Sequence, residues 1–302
     1  MEKGLYTLSS LTGTMKIFID TADLDEIREA CSWGIVDGVT TNPSLIKKAV
    51  AKHGDIDMEA YIQEICSTVD GPVSLEVKGV MADDIVMEAE TLYDLFNPVN
   101  DNVVVKVPVN TAMQDGDSNV EGLQAIRQLA EEDIPTNATL VMTPEQALMA
   151  AKAGATYASP FLGRIDDYIR KQLGVDFDKG DYHDAWLLQT IEEHLATEAW
   201  NGDPGELYTS IQGSGLHDNG IYSGVELTAS IIAIYAAYAF DTEIIAASIR
   251  NARQAREVAE MGVDIATLPF TVIEEMLTHY KSMEGMQRFV DDVVPEYEAL
   301  FR

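Results

Sequence analysis

The feature that most limits the fold is a serial alternation of short β-type runs with helical ones. Lys16–Asp20 (KIFID) precedes an amphipathic stretch from Asp23 to Trp33, with Asp23 placed to cap it. Gly38–Thr41 (GVTT) leads through Pro43-Ser44 to a helix from Leu45, and Val73–Val77 (VSLEV) leads to another from Ala82 to Leu95. Val103–Val107 is followed by a polar loop, Asn110 to Ser118, and a helix starting near Val120. Ala138–Met142 precedes Thr143-Pro144-Glu145 and an Ala-rich helix. Thr156–Pro160, Glu243–Ser248 and Asp264–Pro269 complete eight runs, seven of them followed by a helical pattern before the next. Strict alternation predicts a parallel sheet, and eight units predict a single closed (β/α)8 TIM barrel.

The spacing breaks once, between Arg164 and Asp241. There an Asp-, Gly- and Tyr-rich segment, residues 170–220, reads as an insertion after strand 6. Residues 1–14 read as an N-terminal extension, leaving the barrel over 15–302. A chain of 302 residues with 46% hydrophobic content suits one such domain, because barrels of this kind commonly exceed 250 residues.

Charge and cysteine content narrow the function. The net charge is −31, from 51 acidic against 20 basic residues, and such a field repels phosphate backbones, so no nucleic-acid partner is expected. The acids are dispersed, as on a solvated surface, and a high-salt cytosol would relieve their repulsion by screening. Cys31 and Cys66 give neither a disulfide framework nor metal-ligand spacing. Residues 1–14 lack the pattern of a signal peptide, and the most apolar segment, Leu227 to Phe240, is too short to span a bilayer. The expectation is a cytoplasmic protein with no membrane partner.

Lys106 is the residue that points to chemistry. It interrupts the β-branched run Val103–Val107, which otherwise reads as a strand buried on both faces. Burial disfavours an ammonium and favours a neutral amine, which attacks carbonyls to form a Schiff base. The ordinary alternative is a strand that ends at Lys106, with the side chain reaching solvent.

Its context decides between them. Active sites of such barrels collect at the C-terminal ends of the strands. The polar residues there are Asp20, Thr41 with Asn42, Glu76, Lys106, Thr139, Ser159 with Arg164, and Ser248 with Arg250. Each has an ordinary role when taken alone: Asp20 or Asn42 could cap the next helix, and Glu76 could face outward. Together they predict one pocket holding a lysine, two carboxylates, an amide, hydroxyls and two arginines.

Several segments carry a resemblance. Ile19-Asp20-Thr21-Ala22, Gly38-Val39-Thr40-Thr41-Asn42-Pro43-Ser44, Val105-Lys106-Val107-Pro108, Thr136-Asn137-Ala138-Thr139-Leu140, Ser159-Pro160-Phe161-Leu162-Gly163-Arg164 and Ala246-Ala247-Ser248-Ile249-Arg250 closely resemble the transaldolase family. The similarity is nearest to its small transaldolase / fructose-6-phosphate aldolase branch and covers residues 15–165 and 240–290. The resemblance implies a TIM barrel, class I aldol chemistry through a lysine imine, and no cofactor. It implies Lys106 as the imine-forming residue and Asp20 as the acid/base for the C4 hydroxyl. Glu76 and Thr139 would hold the water of carbinolamine dehydration. Thr41, Asn42 and Ser159 would line the pocket around the dihydroxyacetone unit, with Phe161 also in contact. Arg164, Ser248 and Arg250 would clamp phosphate, for which a guanidinium fork is suited. The long loop after Lys106 and the 170–220 segment depart from the family pattern.

The resemblance therefore implies a transaldolase of the pentose phosphate pathway, acting on sugar phosphates, and leaves a homo-oligomer open. Its alternative is a lyase that releases dihydroxyacetone; a third reading is a non-catalytic barrel that binds sugar phosphates. Glu76 and Phe161 favour transfer, because the aldolase branch carries glutamine and tyrosine at the resembling positions. No metal is expected: His53, His183, His194, His217 and His279 show no paired ligand spacing.

Overall fold

Successive side chains on a strand point to opposite faces, so a strand closed into a barrel faces a helix layer on one side and the barrel interior on the other. The computed structural model, which describes residues 14–54, 56–172, 176–181 and 223–301, closes eight parallel strands in chain order. They are β1 (Lys16–Asp20), β2 (Gly38–Thr40), β3 (Val73–Glu76), β4 (Val103–Pro108), β5 (Thr136–Val141), β6 (Tyr157–Pro160), β7 (Glu243–Ala246) and β8 (Ile265–Leu268). The expected barrel is what the chain forms.

The helices are α1 (Leu24–Ser32), α2 (Pro43–His53), α3 (Met58–Thr68), α4 (Ala82–Asn100), α5 (Glu121–Glu131), α6 (Pro144–Ala153) and α7 (Leu162–Gln172). Then follow α8 (Gly224–Tyr238), α9 (Ala252–Glu260), α10 (Phe270–Leu277), α11 (Tyr280–Asp291) and α12 (Pro295–Glu298). Asp23 caps α1, accepting from the Asp25 amide as its position in the sequence suggests. None of the described helices is long and apolar enough to cross a membrane. Most of the 170–220 segment and nearly all of the 1–14 extension lie outside the described residues; α7 itself continues to Gln172.

Packing separates into two cores. Ile19, Val39, Val73, Val103, Val105, Val107 and Ala158 face outward and join the helix layer in the main core. Phe18, Val104, Tyr157, Ile245 and Ile265 face inward and plug the barrel. Gly38 makes room for that plug: a Cβ there would stand 2.7 Å from the Phe18 ring. Each fully buried aliphatic or aromatic side chain contributes about 1.5–3 kcal/mol, so the plug alone is a substantial share of stability.

Several boundaries differ from the sequence reading, and two of the differences have a visible cause. Strand β5 begins at Thr136 rather than Ala138, because Thr136 and Asn137 pair with Val105 and Lys106, and Asn137 finds polar partners inside the barrel. Helix α4 runs past Leu95 to Asn100 despite Pro98, and stops where Asp101 adopts φ 51° and donates to the Asn97 carbonyl.

Candidate active site

Parallel pairing brings Glu76 beside Lys106 and Lys106 beside Asn137 on three adjacent strands. All three point inward, above the apolar plug. Lys106 is 4% exposed, so the strand does not end at it and the side chain does not reach solvent. Its Nζ donates to the Thr41 carbonyl at 3.1 Å and lies 3.3 Å from Glu76 Oε2. The Phe161 ring centroid stands 5.8 Å from the same nitrogen.

Two carboxyl groups serve this pocket. Burial pushes the Glu76 carboxyl above the ordinary glutamate range; the Lys106 and Arg164 charges oppose that shift and the Asp20 charge adds to it. Burial likewise pushes Asp20 upward, against Lys106, Thr40 and Lys48. The Thr40 hydroxyl donates to Asp20 Oδ1 at 2.7 Å and lies within hydrogen-bond reach of the Thr267 hydroxyl. A carboxyl whose proton affinity is raised above its ordinary range is better suited to acid/base work. Asp20 is thus no helix cap; that role falls to Asp23.

Beneath Lys106 runs a buried polar ladder that the sequence reading missed. Ser159 Oγ donates to Asn137 Oδ1 at 2.7 Å, and Asn137 Nδ2 donates to Ser74 Oγ at 3.2 Å. Ser74, Asn137, Thr40 and Thr267 each share a strand or a register with residues that were identified. Period-2 spacing was the available signal: Ser74 lies two before Glu76, and Asn137 two before Thr139.

Thr139 is fully buried, and its Oγ1 has no hydrogen-bond partner among the described residues. A bulge aims it: the β5–β6 register shifts between Ala138 and Val141, and Leu140 takes φ 56°. An unpaired buried hydroxyl costs free energy unless a small polar molecule satisfies it, which fits a water-holding position.

At the rim, Arg164 stacks 4.9 Å over the Phe161 centroid from the first turn of α7. Arg250 follows β7 and donates through Nη2 to Asp167 Oδ2 at 2.5 Å. Gly163 fits α7 against this corner, since a Cβ there would collide with Arg250 Nε and the Ser248 carbonyl. Ser248 itself is held at φ 63°, a strained backbone of the kind found at binding sites. Thr41 presents its carbonyl to Lys106 while its hydroxyl donates to the Ser74 carbonyl at 2.8 Å. Asn42 does cap α2, its Oδ1 accepting from the Ser44 and Leu45 amides at 3.0 and 3.1 Å. Thr41, Asn42 and Glu76 also line a cavity of about 620 Å³ between α2, α3 and α4, whose exposed wall is mostly apolar and does not include Lys106.

A separate cluster forms at the start of α1. Asp23, Asp25 and His53 bring their ligand atoms within 4.8 Å of one another. The Lys52 ammonium already bridges both carboxylates, at 2.5 and 3.2 Å, which is how a surface ion-pair cluster is satisfied.

The chain matches the family described as Transaldolase/Fructose-6-phosphate aldolase over residues 17–302. It is 39% identical over 281 residues to a probable transaldolase of Prosthecochloris aestuarii, covering 92% of this chain and 97% of that protein. It is 40% identical over 278 residues to a probable transaldolase of Desulfosudis oleivorans, with the same coverage. A probable transaldolase of Syntrophobacter fumaroxidans is 39% identical over 278 residues, covering 92% and 96%. With its closed barrel, its inward lysine and this similarity along nearly its whole length, the chain belongs to the transaldolase/fructose-6-phosphate aldolase family.

Proposed function

We propose that this protein is a transaldolase that carries a dihydroxyacetone unit on Lys106 from a ketose phosphate, such as fructose 6-phosphate, to an aldose phosphate. The observation that carries the reading is the buried Lys106 amine at 3.3 Å from Glu76 with Phe161 beside it. The amine adds to the donor's C2 carbonyl, and the carbinolamine loses water to leave an imine. Glu76 and Thr139 hold that water and relay its protons, which suits a carboxyl of raised proton affinity and a hydroxyl with a free valence. Asp20 then takes the proton of the C4 hydroxyl as the C3–C4 bond breaks. The aldose leaves, and the electron pair remains as an enamine on Lys106. Addition of an acceptor aldehyde to that enamine reverses the steps, and hydrolysis frees the lysine. Arg164 and Arg250 hold the phosphate as guanidinium forks. The cycle fits the pentose phosphate pathway and a cytoplasmic setting.

Transfer rather than release follows from Phe161. Its ring offers no hydroxyl to orient water or to protonate the enamine, so the intermediate waits for an aldehyde. Incubation with fructose 6-phosphate and borohydride is expected to add a reduced three-carbon unit at Lys106 in the peptide map. Turnover should need erythrose 4-phosphate or glyceraldehyde 3-phosphate as acceptor. Labelling at another residue would remove the Schiff-base assignment, and free cleavage without an acceptor would replace the transferase reading with the lyase.

A further inference from the structure

Arg250 is fixed from two sides. Gly163 lies against its Nε edge, and Nε is buried without a hydrogen-bond partner among the described residues. Its Nη2 is held by Asp167 Oδ2 at 2.5 Å. The other oxygen of that carboxylate, Oδ1, accepts from Arg170 Nη2 at 3.0 Å. Arg170 is 5% exposed, its Nε reaches the Asp166 carbonyl at 3.4 Å, and its guanidinium stacks 3.8 Å over the Phe177 ring. Phe177, Arg170, Asp167 and Arg250 therefore form one continuous chain of contacts, running from the segment after α7 to the barrel mouth.

A carboxylate beside an anion site should repel the anion, and in a protein of net charge −31 one more negative charge there is unhelpful. Its placement makes sense when the carboxylate sets geometry. A guanidinium carries five N–H donors in a rigid fork, and one carboxylate oxygen occupies only part of it. The remaining edge is then presented in a single orientation, while an untethered arginine would have to be ordered by its ligand.

We propose that Asp167 is a positioning residue for anion recognition, orienting Arg250 toward the phosphate monoester of the sugar substrate, with Arg170 and Phe177 anchoring it from behind. The inference rests on Arg250 as a phosphate ligand. It also gives the described part of the 170–220 segment a task. Phe177 backs Arg170, and the Gly180 carbonyl accepts from Asn251 Nδ2 at 2.8 Å, one residue after Arg250. This short stretch thus braces the clamp at two points, and its sequence becomes a determinant of how tightly phosphorylated substrates are held.

The test is Asp167→Ala in the full chain, read as steady-state kinetics, competitive inhibition by inorganic phosphate and thermal melting. KM for fructose 6-phosphate should rise about tenfold, the scale of one charge-assisted hydrogen bond, and the Ki of phosphate should rise in parallel. The loss in kcat/KM should be carried by KM, and the KM for unphosphorylated fructose as donor should stay put. A purely structural role would move both donors alike. A lower KM and Ki would show that the carboxylate only competes with the anion, and unchanged values would show that it does nothing; either overturns the inference. Should the variant lose its cooperative melt, Phe177→Ala decides: a two- to threefold rise on the phosphorylated donor alone is expected for a lost stacking contact, and no change there sinks the idea. Wild-type insensitivity to inorganic phosphate, with no preference for phosphorylated donors, would instead remove the Arg250 clamp, and this inference with it.

Discussion

Two layers of the barrel interior lie one step apart on the same strands and have opposite character. Phe18, Val104, Tyr157 and Ile265 form the lower, apolar layer; two residues later on each strand stand Asp20, Lys106, Ser159 and Thr267. Backbone pairing and closure are common to both layers, so the contrast is made by side chains alone. The lower layer gains free energy from burial, and only the Tyr157 hydroxyl in it calls for a polar partner. The upper layer loses it by desolvating charges and recovers part through pairing, as Lys106 does with Glu76 and the Thr41 carbonyl. On the proposed function, stability belongs to the bottom of the barrel and chemistry to its mouth, the general division of labour in this fold.

The sharpest way to break that division is to truncate one residue from each layer of the same molecule. Lys106→Ala should reduce kcat on the order of 10³-fold or more, because the nucleophile of the proposed covalent cycle has no substitute, and borohydride trapping should vanish while a cooperative melt persists. Phe18→Ala should do the reverse. It is 1% exposed and fills the space over Gly38, so denaturant titration should show a loss of about 3–5 kcal/mol, with trapping per folded molecule intact. A Phe18 variant that is stable but inactive would merge the two layers into one.

The sequence disclosed this arrangement unevenly. The eight strands were legible because β-branched runs and their caps repeat along the chain, and Lys106 was legible because a cation in Val103–Val107 contradicts its surroundings. Thr136 and Asn137 misled, since two polar residues resemble a turn, whereas Asn137 sits fully buried between Ser74 and Ser159. Threonines escaped for a similar reason: Thr40 and Thr267 fit an ordinary strand, and only barrel closure, bringing β1, β2 and β8 together, reveals that they line up on Asp20. Asn42 was legible twice over, as a helix cap and as a pocket residue, and the structure gives its oxygen to the cap. Arg250 was visible but its partner was not, because Asp167 lies 83 positions away.

The smallest expected effect tests whether the upper layer is a burden on the fold. Burial holds the Asp20 carboxyl above the ordinary aspartate range, with Lys106 and Thr40 opposing the shift only in part. Its folded proton affinity thus exceeds its unfolded one, so folding takes up a proton between the two values. The contribution of such a group is fully present below the unfolded value of 3.8 and is lost as pH rises through the folded value. At neutral pH the charged carboxylate is therefore a net cost, and Asp20→Asn should remove it. The variant should therefore be the more stable of the two at pH 7. The gain should shrink toward nothing below about pH 4, where both states hold the proton. Lys106 and Lys48 each lose an opposite charge in the exchange, which limits the gain. Paired melts of the two proteins across that range measure the difference directly. A variant less stable at pH 7, with no dependence on pH, would mean that Asp20 is an asset held by its cations, and that the mouth of the barrel stabilises the fold as its floor does.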